Sequence, residues 1–262
     1  MSHDLGDPLG SLSSVLAQQG LLSVGRLTGA DGVGLSHMSP HATTIVAAVH
    51  SDGMGAVVAA DRRASQGHRI AHEAMTKLYL ADRASTVGIA GAAGLGVELA
   101  RLFALELEHV EKIERAPLSH GGKVRRLSIL VQTHLGLALQ GLSAVPILMG
   151  FDEHTQRSRI HTFDPTGGAY EETSSAALGS GGDIARAVLD AALGRGEASH
   201  SADSGHASRA VLRALAAAAE RDSATSGLSG AALPLVVEVD AAGARFMSEM
   251  QVRRIAEEVR GS

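Results

Sequence analysis

Short apolar segments arranged in adjacent pairs constrain the fold of this 262-residue chain more than any other feature of its sequence. Residues 43–50 and 55–61 flank the segment SDGMG, and residues 77–82 and 85–91 are separated by two residues. Apolar runs of this length joined by short turns are typical of β-hairpins, here with both faces of the strands buried. The first part of the folded region is therefore predicted to be antiparallel.

Helical patterns follow these hairpins in pairs. Residues 94–116 have the apolar spacing of an amphipathic helix that Pro117 ends, and residues 121–140 are predicted to form a second long helix. The remaining predicted elements are strands at 145–153, 159–164 and 169–173, helices at 183–194 and 207–222, a hairpin at 234–240 and 244–247, and a last helix at 249–260. This order predicts an α+β fold, a four-layer αββα sandwich of two antiparallel sheets covered by helix pairs. A doubly wound parallel sheet would need strands that alternate singly with helices.

Composition excludes several classes of function. The chain has no cysteine, so it has no disulfide, thiolate metal site or Cys nucleophile, and a reducing cytoplasm is the expected location. A net charge of −5 gives no reason to expect nucleic acid or an anionic membrane as a partner. No apolar stretch reaches the roughly 18 residues that a membrane-spanning helix needs. His200, Asp203 and His206 lie in a polar, low-complexity loop that is interpreted as solvated surface, so neither a metal nor a cofactor is predicted.

Residues 1–42 differ from the rest of the chain. They are rich in Gly, Ser and other small residues, with one short apolar stretch near residues 12–22 that could form a helix, and they lack the features of a secretory signal. The pattern changes abruptly at Thr43. Residues 1–42 are therefore interpreted as a leader, and residues 43–262 as the folded domain.

Thr43 is the first candidate for chemistry. Two threonines at the start of a strand are, taken alone, most often structural, because Thr favours strands. If the chain is cut before Thr43, however, the new α-amino group has a pKa of about 7.7–8.0 and can serve as the base that a Thr hydroxyl needs. Asp61 and Lys77 lie at the ends of neighbouring predicted strands, where they could pair beside Thr43 and lower the pKa of its hydroxyl. An Asp and a Lys 16 residues apart are otherwise more often a surface pair.

Six segments together resemble the proteasome β subunits of actinobacteria. In order along the chain they are HATTIVAAV, AADRRASQG, TKLYLAD with Lys77, GIAGAAG at 88–94, GSGG at 179–182 and RDSAT at 221–225. Each segment is weak evidence by itself, but their order and spacing are specific, and the resemblance covers essentially all of residues 43–262. It implies an N-terminal nucleophile hydrolase fold and a threonine endopeptidase without a cofactor.

The resemblance also implies a role for individual residues. Thr43 would be the nucleophile, and cleavage of the Ala42–Thr43 bond would release residues 1–42 as a propeptide. The other catalytic residues would be Asp61, Lys77, Gly91 through its backbone N–H, Ser180, Asp222 and Thr225. Ala64, Met75, Ile89 and Ala93 would line the pocket for the side chain before the cleaved bond, and the backbones of Ser65 and Ala93 would pair with extended substrate. Because that pocket is apolar, cleavage is expected after large hydrophobic residues.

Three departures from the family pattern stand out. Ala42 replaces the usual glycine before the nucleophile, which would restrict a backbone turn with positive φ and could slow self-cleavage. The loop SDGMG is about two residues longer than is usual. An extra serine in SATSG leaves open whether Thr225 or Ser226 completes the network around the amine.

The function implied is an active endopeptidase that works inside a closed oligomer. The resemblance implies a heptameric ring of this chain, two such rings stacked and capped by rings of α subunits, an ATP-dependent unfoldase or other activator, and unfolded polypeptide as substrate. One alternative is a non-catalytic structural β-type subunit, which the presence of Thr43, Asp61 and Lys77 disfavours. Another is an N-terminal-nucleophile amidase acting on a small molecule, which would be expected to have a closed polar pocket.

Overall fold

A computed structural model describes residues 43–66, 69–194, 204–229 and 232–261. The interpreted leader, with its possible helix near 12–22, lies outside these ranges, as do Ala42, His200 and Asp203. None of the helices in the described ranges is both long and apolar enough to cross a membrane.

Two five-stranded antiparallel sheets form the centre of the described part of the chain. The strands are β1 (Thr44–Val49), β2 (Ala56–Ala60), β3 (Ala64–Gln66), β4 (Arg69–His72), β5 (Leu78–Asp82), β6 (Ser85–Gly91), β7 (Ala144–Asp152), β8 (Arg157–Phe163), β9 (Ala169–Glu172), β10 (Ser175–Gly179), β11 (Leu235–Asp240) and β12 (Gly243–Phe246). The first sheet has the strand order β10-β1-β2-β11-β12, the second has the order β5-β6-β7-β8-β9, and β3 and β4 form a separate two-stranded ribbon.

Helices cover the outer face of each sheet. They are α1 (Ala93–Glu114), α2 (His120–Thr133), the short α3 (Leu135–Ala138), α4 (Gly182–Leu193), α5 (Ser204–Arg221) and α6 (Glu249–Arg260). Helices α1 and α2 pack on β5, β6 and β7, whereas α4 and α5 pack on β10, β1 and β2, and α6 packs against α5. The predicted four-layer αββα sandwich is confirmed.

Strand β1 shows how the sequence produces the layers. Its alternate residues Ile45 and Ala47 belong to the core between the two sheets, and Val46 and Ala48 belong to the core under α4 and α5. Successive side chains of a strand point to opposite faces, so a continuous apolar run is typical of a strand that is buried on both faces. Thr43 therefore directly precedes an interior strand of the first sheet. The pairing of β1 with β10 and β2 sets the register of this strand.

Two predictions of elements were wrong. The long helix predicted at 121–140 is broken, since α2 ends at Thr133. At this point the hydroxyl of Thr133 and the ring of His134 both lie within hydrogen-bonding distance of Leu130 O. Such side-chain bonds compete with the backbone bonds that would continue a helix. Strands β3, β4 and β10 were missed, since the first two are short and β10 is defined by its pairing with β1.

Candidate active site

Thr43 lies at the entrance to β1 and is 5% exposed. Its carbonyl oxygen accepts a hydrogen bond of 3.0 Å from the backbone N–H of Ser180, the residue after β10. Gly179 has a φ of +95°, and a β-carbon at this position would lie 1.6 Å from Thr43 O. Only glycine permits this approach. The end of β10 therefore fixes the backbone of Thr43.

Asp61 and Lys77 form a buried ion pair beside this point. Lys77 Nζ lies 2.6 Å from Asp61 Oδ1, and that oxygen also accepts a hydrogen bond of 2.8 Å from the N–H of Thr44. The other oxygen, Oδ2, accepts from the N–H groups of Arg63 at 2.9 Å and Ser226 at 3.0 Å. Both oxygens of the carboxylate are thus held, as a buried charge requires.

The ammonium of Lys77 is further fixed by a hydrogen bond to the carbonyl oxygen of Arg63. Burial lowers the pKa of Lys77 from its usual value, and the carboxylates of Asp61 and Asp222 oppose this shift without cancelling it.

Gly91 ends strand β6 with a φ of +113°, and a β-carbon there would lie 2.2 Å from Ser143 O. The N–H of Ile89 donates to Lys77 O, on the β5 side of the strand. Because N–H groups two residues apart on a strand point to the same side, the N–H of Gly91 points the same way. Strand β5 begins at Leu78, which pairs with Gly88, so Gly91 lies beyond the paired part of β5.

Ser180, Asp222 and Thr225 form a second polar cluster. Ser180 Oγ and Thr225 Oγ1 both donate to Asp222 Oδ2, at 2.5 and 2.6 Å. Partial burial by itself would raise the pKa of Asp222, but the hydrogen bonds from Ser180, Thr225 and the N–H of Ala224, together with the charge of Lys77, lower the pKa. The carboxylate is thus kept ionised.

Thr225 and Ser226, the two hydroxyl residues between which the sequence did not decide, have different partners. Thr225 bonds Asp222, whereas Ser226 donates its N–H to Asp61 and its hydroxyl accepts a hydrogen bond of 3.0 Å from the N–H of Arg62. Thr44 was missed by the sequence analysis: its Oγ1 lies 2.6 Å from Thr225 Oγ1 and accepts from the N–H of Gly181.

A pocket opens beside Thr43. All four residues predicted to receive the substrate side chain line it, together with both Lys77 and Gly91. The full lining is Thr43, Ala64, Met75, Thr76, Lys77, Tyr79, Ile89, Gly91, Ala92, Ala93, Gly96 and Val97. Ser65 does not line the pocket; it lies on β3 opposite Ile70. Half of the lining residues have apolar side chains, and the others include Thr43, Lys77 and two glycines.

The predicted surface loop with His200, Asp203 and His206 is described only in part. His206 lies on α5, where its Nε2 is 3.3 Å from Ala192 O. Within the ranges that the structure covers, no three His, Cys, Asp or Glu side chains are grouped so that they could hold a metal ion.

Comparison with known proteins gives consistent matches over most of the chain. A family model described as "Proteasome subunit" matches residues 39–229. A "Proteasome subunit beta" of Rhodococcus opacus is 42% identical over 238 residues, which cover 88% of this chain and 79% of the relative. A "Proteasome subunit beta" of Jonesia denitrificans is 44% identical over 214 residues, covering 81% and 68%. One of Nocardia farcinica is 42% identical over 232 residues, covering 86% and 78%.

Proposed function

The chain belongs to the proteasome subunit family, and from this premise we propose that it is a threonine endopeptidase subunit of a 20S proteasome core particle, with Thr43 as the nucleophile. The observation that supports this proposal best is the shared pocket of Thr43, Lys77 and Gly91. The lining of this pocket brings together a residue with a hydroxyl, a charged residue that can stabilise its alkoxide, and a residue whose backbone N–H can act as a donor. A purely structural subunit has no need of this combination.

Maturation comes first in the proposed mechanism. Cleavage of the Ala42–Thr43 bond removes residues 1–42 as a propeptide and turns the backbone nitrogen of Thr43 into an α-amine. In the proposed self-cleavage the Thr43 hydroxyl attacks the carbonyl carbon of Ala42, and water then hydrolyses the resulting ester. A free α-amine ordinarily has a pKa of about 7.7–8.0, which suits a base at neutral pH.

Peptide hydrolysis then uses the same groups. The Thr43 hydroxyl attacks the substrate carbonyl and passes its proton to the α-amine, while the ammonium of Lys77 stabilises the developing alkoxide. The oxyanion accepts a hydrogen bond from the N–H of Gly91, a contribution of roughly 2.7–4 kcal/mol when such a donor is lost in other enzymes. Collapse expels the leaving amine, which takes up the proton. Water hydrolyses the remaining ester, and Thr43 is regenerated.

The proposed substrate is unfolded polypeptide that binds in extended form. Ala64, Met75, Ile89 and Ala93 would receive the side chain before the cleaved bond, and the backbones of Ser65 and Ala93 would pair with the substrate. The side chains of these four pocket residues are apolar, which favours large hydrophobic residues at this position. A peptidase with so little selectivity needs confinement. We therefore propose a cytoplasmic particle of two stacked heptameric rings of this chain, capped by α subunits and fed by an ATP-dependent unfoldase or other activator.

The decisive experiment is intact mass measurement of the particle co-assembled with its α partner. The wild-type β chain is expected to lack residues 1–42, and Thr43→Ala is expected to retain them and to have no peptidase activity on a capped hydrophobic tripeptide amide. Thr155→Ala, in the exposed turn between β7 and β8, is the matched control and should behave as wild type. An assembled wild-type particle that keeps its leader and cleaves no peptide would favour the structural-subunit alternative.

A further inference from the structure

Thr44 connects the two polar clusters of the site. It is completely buried, and its N–H donates to Asp61, which holds Lys77. Its side chain points to the other cluster, with Oγ1 2.6 Å from the hydroxyl of Thr225. One residue, adjacent to the proposed nucleophile, therefore contacts both the ion pair and the network around Asp222.

The direction of these hydrogen bonds follows from counting protons. A Thr hydroxyl has a single proton to donate. Thr225 gives its proton to Asp222 Oδ2, because an ionised carboxylate can only accept. The contact between the two threonines therefore has Thr44 as the donor, and Thr44 Oγ1 in turn accepts from the N–H of Gly181 at 3.1 Å. The chain runs from Gly181 through Thr44 and Thr225 to Asp222.

The contact between Gly181 and Thr44 leaves no room for a side chain at position 181. A β-carbon at position 181 would lie 2.8 Å from Thr44 Oγ1 and 3.1 Å from Thr225 Oγ1. The preceding residue, Ser180, holds Thr43 O with its N–H and Asp222 with its hydroxyl. The segment after β10 thus fixes the nucleophile's backbone, the Thr44 hydroxyl and the Asp222 carboxylate together.

We propose that the Thr44 hydroxyl is a positioning group, which orients Thr225 toward Asp222 and so sets the polar surroundings of the Thr43 amine. The proposal rests on the proposed function, in which that amine is the base. Thr44 does not touch substrate. Its effect on the reaction is through Thr225 and Asp222, and the hydroxyl rather than the methyl of Thr44 carries it.

Substitutions at position 44 test this proposal in the particle co-assembled from full-length chains. Thr44→Val keeps the shape and β-branching of the side chain but removes the hydroxyl, and Thr44→Ser keeps the hydroxyl. We expect Thr44→Val to lower kcat on a capped hydrophobic tripeptide amide about 10- to 100-fold, because small displacements of catalytic groups have effects of this size, while KM stays nearly unchanged. Thr44→Ser should restore most of kcat. Thr162→Val, at another buried strand threonine, is the control and should leave kcat unchanged.

Crystal structures of the three particles supply a second readout that does not depend on activity. The Thr225 side chain and the Asp222 carboxylate should be displaced in Thr44→Val and in place in Thr44→Ser. Equal losses of kcat in both variants would assign the effect to packing and overturn the proposal, as would a Thr44→Val particle with normal kcat. An inactive wild-type particle would overturn the proposed function. The positioning role has a separate test, because it is overturned if Thr225 and Asp222 keep their positions in Thr44→Val.

Discussion

Lys77 Nζ lies 2.6 Å from Asp61 Oδ1, and the side chains of the two residues are 1% and 0% exposed. A buried ion pair of this kind contributes little net stability compared with two apolar residues, but removal of one partner leaves an uncompensated charge. The pair is therefore expected to contribute more to the reaction than to the stability of the fold. Its effect on stability should be largest when only one of the two charges is removed.

Asp61→Asn is expected to lower the free energy of unfolding by about 3–5 kcal/mol, since it leaves Lys77 buried without its counter-charge, and to abolish peptidase activity. The double variant Asp61→Asn/Lys77→Met should recover part of the stability and none of the activity. Urea unfolding of the purified subunit and a peptide assay on the particle measure the two effects. Lys112→Met removes an exposed ion pair on α1 and should change neither. If the double variant is destabilised by as much as Asp61→Asn and Lys77→Met, each measured alone, added together, this account is contradicted.

Gly91→Ala is expected to destabilise the end of β6 and to abolish the proposed peptidase activity. Its β-carbon would lie 2.2 Å from Ser143 O, and the φ of +113° is strained for alanine by about 1–3 kcal/mol. The backbone must shift, and the proposed oxyanion donor shifts with it. Thermal unfolding and the peptide assay check this prediction.

Gly94→Ala is the matched control for Gly91→Ala. A β-carbon at position 94 meets nothing within 4 Å, and the residue lies in the first turn of α1. A stability gain of up to about 1 kcal/mol is expected, because alanine reduces the entropy of the unfolded chain, with activity unchanged. Equal effects of the two substitutions would rule out the conformational argument.

Much of the fold could be predicted from sequence, because it depends on local patterns. The hairpins β1–β2 and β5–β6 are joined by short turns, and the long amphipathic helix α1 ends near a proline. The ribbon of β3 and β4 could not be predicted in this way, since β4 is exposed along its length and shows no apolar alternation. Strand β10 exists through its partner β1, which no local pattern shows.

The same distinction between local patterns and long-range contacts applies to the candidate site. The strand-end positions of Asp61 and Lys77 indicated that they could pair, and the structure places them in contact. The hydroxyl of Thr44 gave no signal, because a second threonine in a strand has a structural explanation. Its partner Gly181 is 137 residues further along the chain, so only the folded arrangement brings them together.

Ala93→Asp is expected to change the cleavage preference. Ala93 lines the pocket beside Thr43 and is the first residue of α1, where a carboxylate is compatible with the helix dipole. The variant should lose roughly 10- to 200-fold in kcat/KM for a large apolar residue before the cleaved bond, a range typical of altered pocket contacts, and should gain activity after Arg or Lys. A set of tripeptide amides that differ at this position measures the change.

Gly94→Asp controls for the added charge. It places a carboxylate one residue further along the same helical turn, at an exposed position that does not line the pocket. Its cleavage preference should match that of the wild type. If both aspartate variants shifted preference equally, the charge would be acting from a distance and the pocket assignment would be wrong.

His120 provides a prediction for stability far from the proposed active site. Its side chain is 5% exposed, and its Nε2 lies 3.2 Å from Nδ1 of His161 on β8. Burial, together with the nearby charges of His161 and Lys123, lowers the pKa of His120 from its usual value of 6.5 to about 4. Between these two pH values the unfolded chain binds a proton at this residue that the folded chain does not.

The free energy of unfolding should therefore fall as the pH is lowered from 6.5 to 4, by about 3 kcal/mol from His120 alone. In His120→Gln this contribution is absent, so the loss of stability over that interval should be smaller than in the wild type. Urea unfolding at a series of pH values gives the comparison. His154→Gln, in the exposed turn after β7, should retain the wild-type slope. Parallel curves for wild type and His120→Gln would show that His120 titrates in the folded chain as it does in the unfolded one.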